Sequence, residues 1–353
     1  MTLYIGVDFH PHQQTASWCD TATGETESVD LVHDLEVVRK FYESFEESAI
    51  IGIEASTRAA WFENMLSETK HTLLVGNPVL IRKRATSRHK SDRRDAELIL
   101  TLLMRGEFPA IWRRETGSDQ VLEILRLRRN LVGQRTQVYN RLHCLAHNAG
   151  LPKGRMKTAV FREVIEKLDL SETDAMQRLH LFRLLECLGR EITEIEGWLR
   201  KKAALDKGVQ LLLTQTGVGY LTALAMVHTL GDLSRFTRLS KQVVGFAGLD
   251  PVEDSSAGRR RFGNISKAGS SLLRFQLGQA AQIAARSDVR LKAFYKRLAK
   301  KKPKGVAKTA TARKLLVKLS IMLRDNITAD EFDRRGTHSW QCPSGSGSEM
   351  TVV

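Results

Sequence analysis

The chain has 353 residues, 55 Lys and Arg against 40 Asp and Glu, and a formal net charge of +15 at pH 7. That length suffices for two or three domains with a sizeable core, and the charge points to a polyanionic partner, nucleic acid ahead of an acidic membrane surface. Four scattered cysteines without C-x-x-C spacing argue against a zinc site or disulfide framework, and no apolar run reaches membrane-spanning length.

The opening "MTLYIGVDFH" lacks the basic segment and long apolar run of a signal peptide, so a soluble intracellular protein is expected. The first hundred residues read as α/β. "LYIGVDF", "AIIGIEAS" and "HTLLVGNP" are short apolar strands, and "QTASWCDTATGETESVDLV" reads as two strands turning at Thr23-Gly24. "RAAWFENMLSE" supplies a helix between the second and third apolar strands. A hairpin meander followed by βαβ units is the order of ribonuclease-H-like folds, an inference about fold that does not reach activity.

From about Ser118 the pattern changes to long helices. Ile124, Leu131, Val138 and Leu145 recur every seven residues, and Leu181, Leu185, Leu188, Ile192, Ile195 and Leu199 alternate four and three apart, the seam of a coiled coil. An antiparallel helical hairpin within one chain and a dimer arm both satisfy this pattern. "LLTQTGVGYLTALAMVHTLGD" then reads as helix, Gly-Val-Gly turn, helix; the turn suits either backbone approach to a phosphate or a glycine-capped junction. Between Ser255 and Leu315, Lys and Arg face a lone acid, Asp288. Loops such as "GRRRFG" and "ISKAGSSLLR" place Arg259, Arg260, Arg261, Lys267 and Arg274 as phosphate contacts.

Strand alternation puts Tyr4, Gly6 and Asp8 on one face of the first strand, and Gly52 and Glu54 on one face of the strand "AIIGIEAS". Each strand thus ends in a carboxylate after an apolar run, which is costly unless the acid is paired or metal-bound. In "RHKSDRRDAELI", Asp92 and Asp95 are three apart and share a helix face, whereas Arg93 and Arg94 cannot. Each acid alone has an ordinary explanation as a cap, a turn residue or a first-turn acid. Together Asp8, Glu54, Asp92 and Asp95 point to an oxygen-rich site for Mg²⁺ or Mn²⁺, able to clamp a phosphodiester. His10 and His12 are assigned to the loop leaving the strand rather than to this site.

The set "YIGVDFH", "GIEAS" and "HKSDRRDAELI", followed by "TGVGYLTALAMVHTLGD…RF…FAGLDP…SSAG…ISKAGSSLLR", resembles the DEDD transposases of the insertion-sequence 110 family, the RNA-guided bridge recombinases. The resemblance spans the chain to about Asn326. It implies a RuvC-like domain over 1–114, a helical coiled-coil region over 115–207 and a mainly α transposase domain over 208–330; by its Gly/Ser-rich composition the end of the chain, 331–353, reads as a disordered tail. The resemblance further implies a serine nucleophile that forms a 5′-phosphoserine intermediate, while the four acids position the scissile phosphate. The family pattern sets Ser-Gly a few residues after a proline; here Pro251 is followed by "VEDSSAG", which favours Ser256 with Ser255 as the alternative. The implied partners are a guide RNA, donor and target DNA, and further copies of the chain as a dimer of dimers with composite active sites, acting in a prokaryotic cytoplasm at the nucleoid. Two other readings remain: a RuvC-like endonuclease that uses water and needs no serine, and a nucleic-acid-binding protein without catalysis. A sugar-kinase-like ATPase lacks support, since no glycine-rich phosphate loop is present.

Overall fold

The computed structural model describes residues 2–21, 24–55, 59–84, 91–152, 158–253 and 262–336. Ser255, Ser256, Arg259, Arg260 and Arg261 lie outside these residues, as do Thr23 and the chain from 337 onward. The protein divides into two compact units, Met1–Arg113 and Arg114–Val353.

The first unit runs β1 (Leu3–Phe9), β2 (Gln13–Asp20), β3 (Thr26–Val32), α1 (Leu35–Glu43), β4 (Ala49–Glu54), α2 (Ala60–Ser67), β5 (Thr72–Gly76), α3 (Pro78–Lys83) and α4 (Asp92–Met104). The five strands form one sheet in the order β3-β2-β1-β4-β5. β1 pairs antiparallel with β2 and parallel with β4, and β4 pairs parallel with β5. Period-two alternation then sorts the side chains. Leu3, Ile5, Val7, Ala49, Ile51, Ile53 and Val75 share a core with Val38 and Tyr42 of α1 and Phe62, Met65 and Leu66 of α2. Tyr4, Ile50 and Leu74 pack with Ile99, Leu102 and Leu103 of α4 on the opposite face.

Two glycines set how closely α4 approaches that face. Gly6 and Gly52 are register partners on β1 and β4. A Cβ on Gly6 would meet Ala96 O at 2.3 Å and Leu100 N at 2.4 Å, both backbone atoms of α4. A Cβ on Gly52 would meet the Leu103 side chain at 2.8 Å and Ile99 at 3.0 Å. α4 therefore rests its backbone on the sheet where the strands carry no side chain. Its start is capped by the Ser91 hydroxyl, which accepts from the Arg94 N–H at 3.4 Å. Asp92 and Asp95 fall in its first turn, where the helix dipole favours them.

The second unit comprises α5 (Thr116–Asn148), α6 (Ala159–Glu166), α7 (Glu172–Leu205), α8 (Lys207–Leu213), α9 (Tyr220–Leu230), α10 (Leu239–Phe246), β6 (Pro251–Glu253), β7 (Phe262–Ile265), α11 (Ser271–Ser287), α12 (Val289–Ala299), α13 (Lys304–Asp325) and α14 (Ala329–Arg334). α5 and α7 pack antiparallel. Leu122 and Leu125 share a cluster with Leu199 and Ala203, whereas Leu142 and Leu145 share one with Leu185 and Leu188. The Arg128 guanidinium donates to Glu196 Oε1 between the two clusters. Val138 and Leu145 of the seven-residue stripe are buried, with Leu131 packed against them. The helical hairpin thus uses its apolar stripes within one chain. Its base shares a core with α8, α9, α11 and α13, so the region expected over 115–207 is not separate from the one that follows. The Gly-Val-Gly turn is a packed junction: Gly217, at φ +90°, lies so close to α11 that a Cβ would meet Ala284 N at 2.7 Å. α14 also runs past 331, where a disordered tail was expected, because Lys318 of α13 binds its Asp333 at 3.0 Å and Phe332 is fully buried. Among the described residues, no helix is long and apolar enough to cross a membrane.

Replacing Gly6 with alanine should destabilise the protein by about 1–3 kcal/mol or more, the usual range for overpacking, because both obstructing atoms are backbone. Gly52→Ala should cost less, since the side-chain end of Leu103 can yield. Thermal denaturation of the two variants checks the order; equal melting temperatures would contradict it.

Candidate active site

Asp8, the penultimate residue of β1, lies one step beyond the register pair Val7↔Ile53, and Glu54 ends β4 at the same level. The parallel pairing therefore brings both strand-end acids to one edge of the sheet, on the face that α4 covers. α4 delivers the second pair. His10, in the turn after β1, is folded back by its N–H donating to Gln13 O at 3.0 Å. Its Nε2 lies 3.0 Å from Asp8 Oδ2 and 3.3 Å from Asp92 Oδ1. One ligand atom from each of Asp8, His10 and Asp92 falls within 4.8 Å of the others.

The electrostatics of this cluster are strained in one direction. Burial pushes the Asp8 carboxyl above its ordinary value of 3.8; His10 opposes that rise, and Asp95 and Asp92 add to it. Like charges and desolvation both disfavour a carboxylate, and a cation relieves both. Two carboxylates converging on one point, with a third acid close enough to act on Asp8, are a donor set compatible with a divalent metal. Glu54 stands apart from the three-residue cluster, with an Arg82 guanidinium nitrogen 3.6 Å from its Oε1. Asp30, another acid on the sheet, is engaged elsewhere: it accepts from the Thr15 hydroxyl at 2.6 Å.

Arg93 turns away from the aspartates and binds Glu97, one helical turn on, at 3.0 Å; Arg94 is exposed. His10 is the functional candidate that sequence reasoning set aside. The signal available was a histidine two residues past a strand-end acid, and only the fold of the turn shows the ring pointing back.

In the second unit, β6 and β7 pair antiparallel and bracket residues 254–261, the segment holding both candidate serines. A clamp of two loops forms the base of this pair. Ser266 N–H donates to Asp250 O at 2.8 Å and Lys267 N–H to Gly248 O at 3.1 Å. Gly248, at φ +65°, leaves no room for a side chain, as a Cβ would meet Ala268 N at 2.6 Å. Arg274 belongs to this clamp. Its guanidinium Nη1 donates to Ala247 O at 3.0 Å and Gly269 O at 2.6 Å, which ties it to the loop carbonyls. Lys267 is exposed.

Comparison with known proteins matches both halves of the chain, in order. Residues 5–148 match the DEDD transposase domain of the IS110 group, described as a transposase, and residues 209–296 match the transposase IS116/IS110/IS902 family. The chain belongs to the IS110 family of transposases. A transposase for insertion sequence element IS1111A from Coxiella burnetii is 30% identical over 203 residues, 56% of either chain. A Pseudomonas aeruginosa protein named as a probable family 20 transposase is 27% identical over 288 residues, covering 78% of this chain and 84% of that one. A transposase for insertion sequence element IS1328 from Yersinia enterocolitica is 28% identical over 238 residues, 66% and 70% of the two chains. The protein is thus a DNA transposase, and DNA is its partner.

The raised Asp8 carboxyl makes a signed prediction. The folded state holds this proton more tightly than the unfolded state, so stability falls as pH climbs from 3.8 through the raised value. Asp8→Asn removes that penalty. In metal-free buffer the variant should melt above the wild type at neutral pH, and the gap should close toward acid. A gap independent of pH in thermal melts would contradict the assignment.

Proposed function

We propose that this transposase recombines donor and target DNA under the guidance of an RNA, through a 5′-phosphoserine intermediate. The observation that carries the chemistry is the convergence of Asp8 and Asp92 on His10 at the edge of the sheet. The strand order β3-β2-β1-β4-β5, with β1, β4 and β5 parallel, supports a ribonuclease-H-like reading of the first unit. Asp8 and Asp92, with Asp95 and Glu54 beside them, would hold Mg²⁺ or Mn²⁺. When bound, such an ion neutralises charge on the scissile phosphate and polarises its oxygens.

The nucleophile of this reading is Ser256, with Ser255 as the alternative, on the segment between β6 and β7. The serine oxygen forms a bond to phosphorus as the bond to the 3′ oxygen breaks. The serine proton ends on the released 3′ hydroxyl, and the 5′ phosphate stays on the protein. Reversal with a different 3′ hydroxyl joins new partners without an external energy source. His10, between two carboxylates, is placed to hold or pass a proton at Asp8 Oδ2. The guide RNA and the dimer of dimers rest on the resemblance of the sequence motifs, and the net charge of +15 suits several nucleic-acid strands at once.

A denaturing gel tests the mechanism. With labelled element-end and target DNA, Mg²⁺ and RNA transcribed from the element's flanks, the wild type should form a covalent protein–DNA adduct. Ser256→Ala and Asp8→Ala should both lose it, with Ser255→Ala retaining it. Loss in Ser255→Ala alone would move the nucleophile by one residue. Cleaved DNA without adduct, still dependent on Asp8, would sink the serine step in favour of hydrolysis by water.

A further inference from the structure

The second unit contains a cavity of about 820 Å³ that the acid-and-serine chemistry does not use. Its walls bring α5 together with the loop leading into α11: Arg126, Arg129 and Asn130 on one side, Ala268 to Leu272 on the other, with Thr229 of α9 also lining it. Arg126, Arg129 and Asn130 are spaced to share one helix face. No acidic side chain among the described residues lines the cavity. Arg114, at its rim, is already bound to Asp119 at 2.7 Å. Arg126 and Arg129 have no such acid among the described residues. Arg129 is instead positioned by the Phe275 ring of α11, 4.6 Å from its guanidinium carbon.

The opposite wall is the N-terminus of a 17-residue helix. The Ser270 hydroxyl caps it by accepting from Leu273 N–H at 3.2 Å. The Ser271 and Leu272 N–H groups belong to the first turn and have no intrahelical acceptor. The independent observation is Thr229. It lines this cavity and is 2% exposed, and its buried hydroxyl has no hydrogen-bond partner among the described residues. A buried hydroxyl left unpaired costs about 1–3 kcal/mol, so such groups point to a ligand that completes them.

We propose that this cavity seats a backbone phosphate of the DNA, held by Arg126 and Arg129, the first-turn amides of α11 and the Thr229 hydroxyl. A phosphodiester supplies the acceptor oxygens that all of these donors lack, and arginine pairs bind it through forked geometry. The site rests on the reading of the protein as a DNA transposase and adds a place in the second unit where the duplex is anchored. It also gives the α5–α7 hairpin a role in DNA binding through its base.

The test is fluorescence anisotropy of the full chain with a short labelled DNA duplex of arbitrary sequence, over a series of salt concentrations. An RNA hairpin serves as a parallel probe. The double variant R126A/R129A should bind the duplex several-fold more weakly, with a log–log salt dependence shallower by about one. Thr229→Val keeps the shape of the side chain. It should also weaken binding while raising the melting temperature of the free protein, since it removes an unpaired buried hydroxyl. Duplex affinity unchanged in R126A/R129A overturns the proposal. So does loss in that variant with Thr229→Val unchanged, because the cavity is then general surface charge. Weakening confined to the RNA probe overturns the assignment to DNA. Binding is read without strand cleavage, so a failed adduct experiment leaves this test intact, and flat binding leaves the acid-centred reading intact.

Discussion

The close contact between α4 and the sheet is the constraint on which the rest of the first unit depends. Gly6 and Gly52 lie side by side on β1 and β4 and together strip one patch of the sheet of side chains. The helix backbone settles there, and its first turn then falls beside the end of β1. Any side chain at position 6 would hold the helix off and carry Asp92 and Asp95 away from Asp8. The proximity of like charges is thus imposed by packing: apolar burial of Ile99, Leu102 and Leu103 against the sheet holds together acids that repel one another. Such a convergence of acids, held by packing, is compatible with a divalent cation.

The two units solve different problems. The first unit builds a rigid sheet whose parallel strands end level with one another, so two acids arrive together from distant parts of the chain. The second builds a helical core, then extends a two-stranded ribbon from it. That ribbon is held at its base by backbone bonds between the Gly248–Asp250 and Ser266–Lys267 segments and by the Arg274 guanidinium. The family match over residues 5–148 spans the first unit and the start of the second, and the match over 209–296 lies within the second.

Much of the acid site was legible in the sequence. Strand alternation assigned Asp8 and Glu54 to one face, and the three-residue spacing of Asp92 and Asp95 assigned them to one side of a helix. Both signals are local, and the fold keeps them. His10 was not legible, because the turn that returns its ring to Asp8 is set by a hydrogen bond to Gln13 and carries no periodic pattern. The structural part of Arg274 was hidden for a related reason: basic residues in a loop-rich segment look alike, and only packing shows which guanidinium also holds backbone carbonyls. The seven-residue stripe of α5 announced its buried face. Arg126 and Arg129 lie off that stripe, and their meeting with α11 is a tertiary event. The short helices α3 and α14, six residues each, had too few residues to show a period of their own.

The central claim is that Asp8 and Asp92 form a cation site. The most direct measurement is anomalous scattering from a crystal of the protein soaked in Mn²⁺. The account predicts a peak within coordination distance of Asp8 and Asp92, absent from crystals of Asp8→Ala. A Mn²⁺-soaked crystal with no peak at these carboxylates, or with the same peak in the variant, would contradict it.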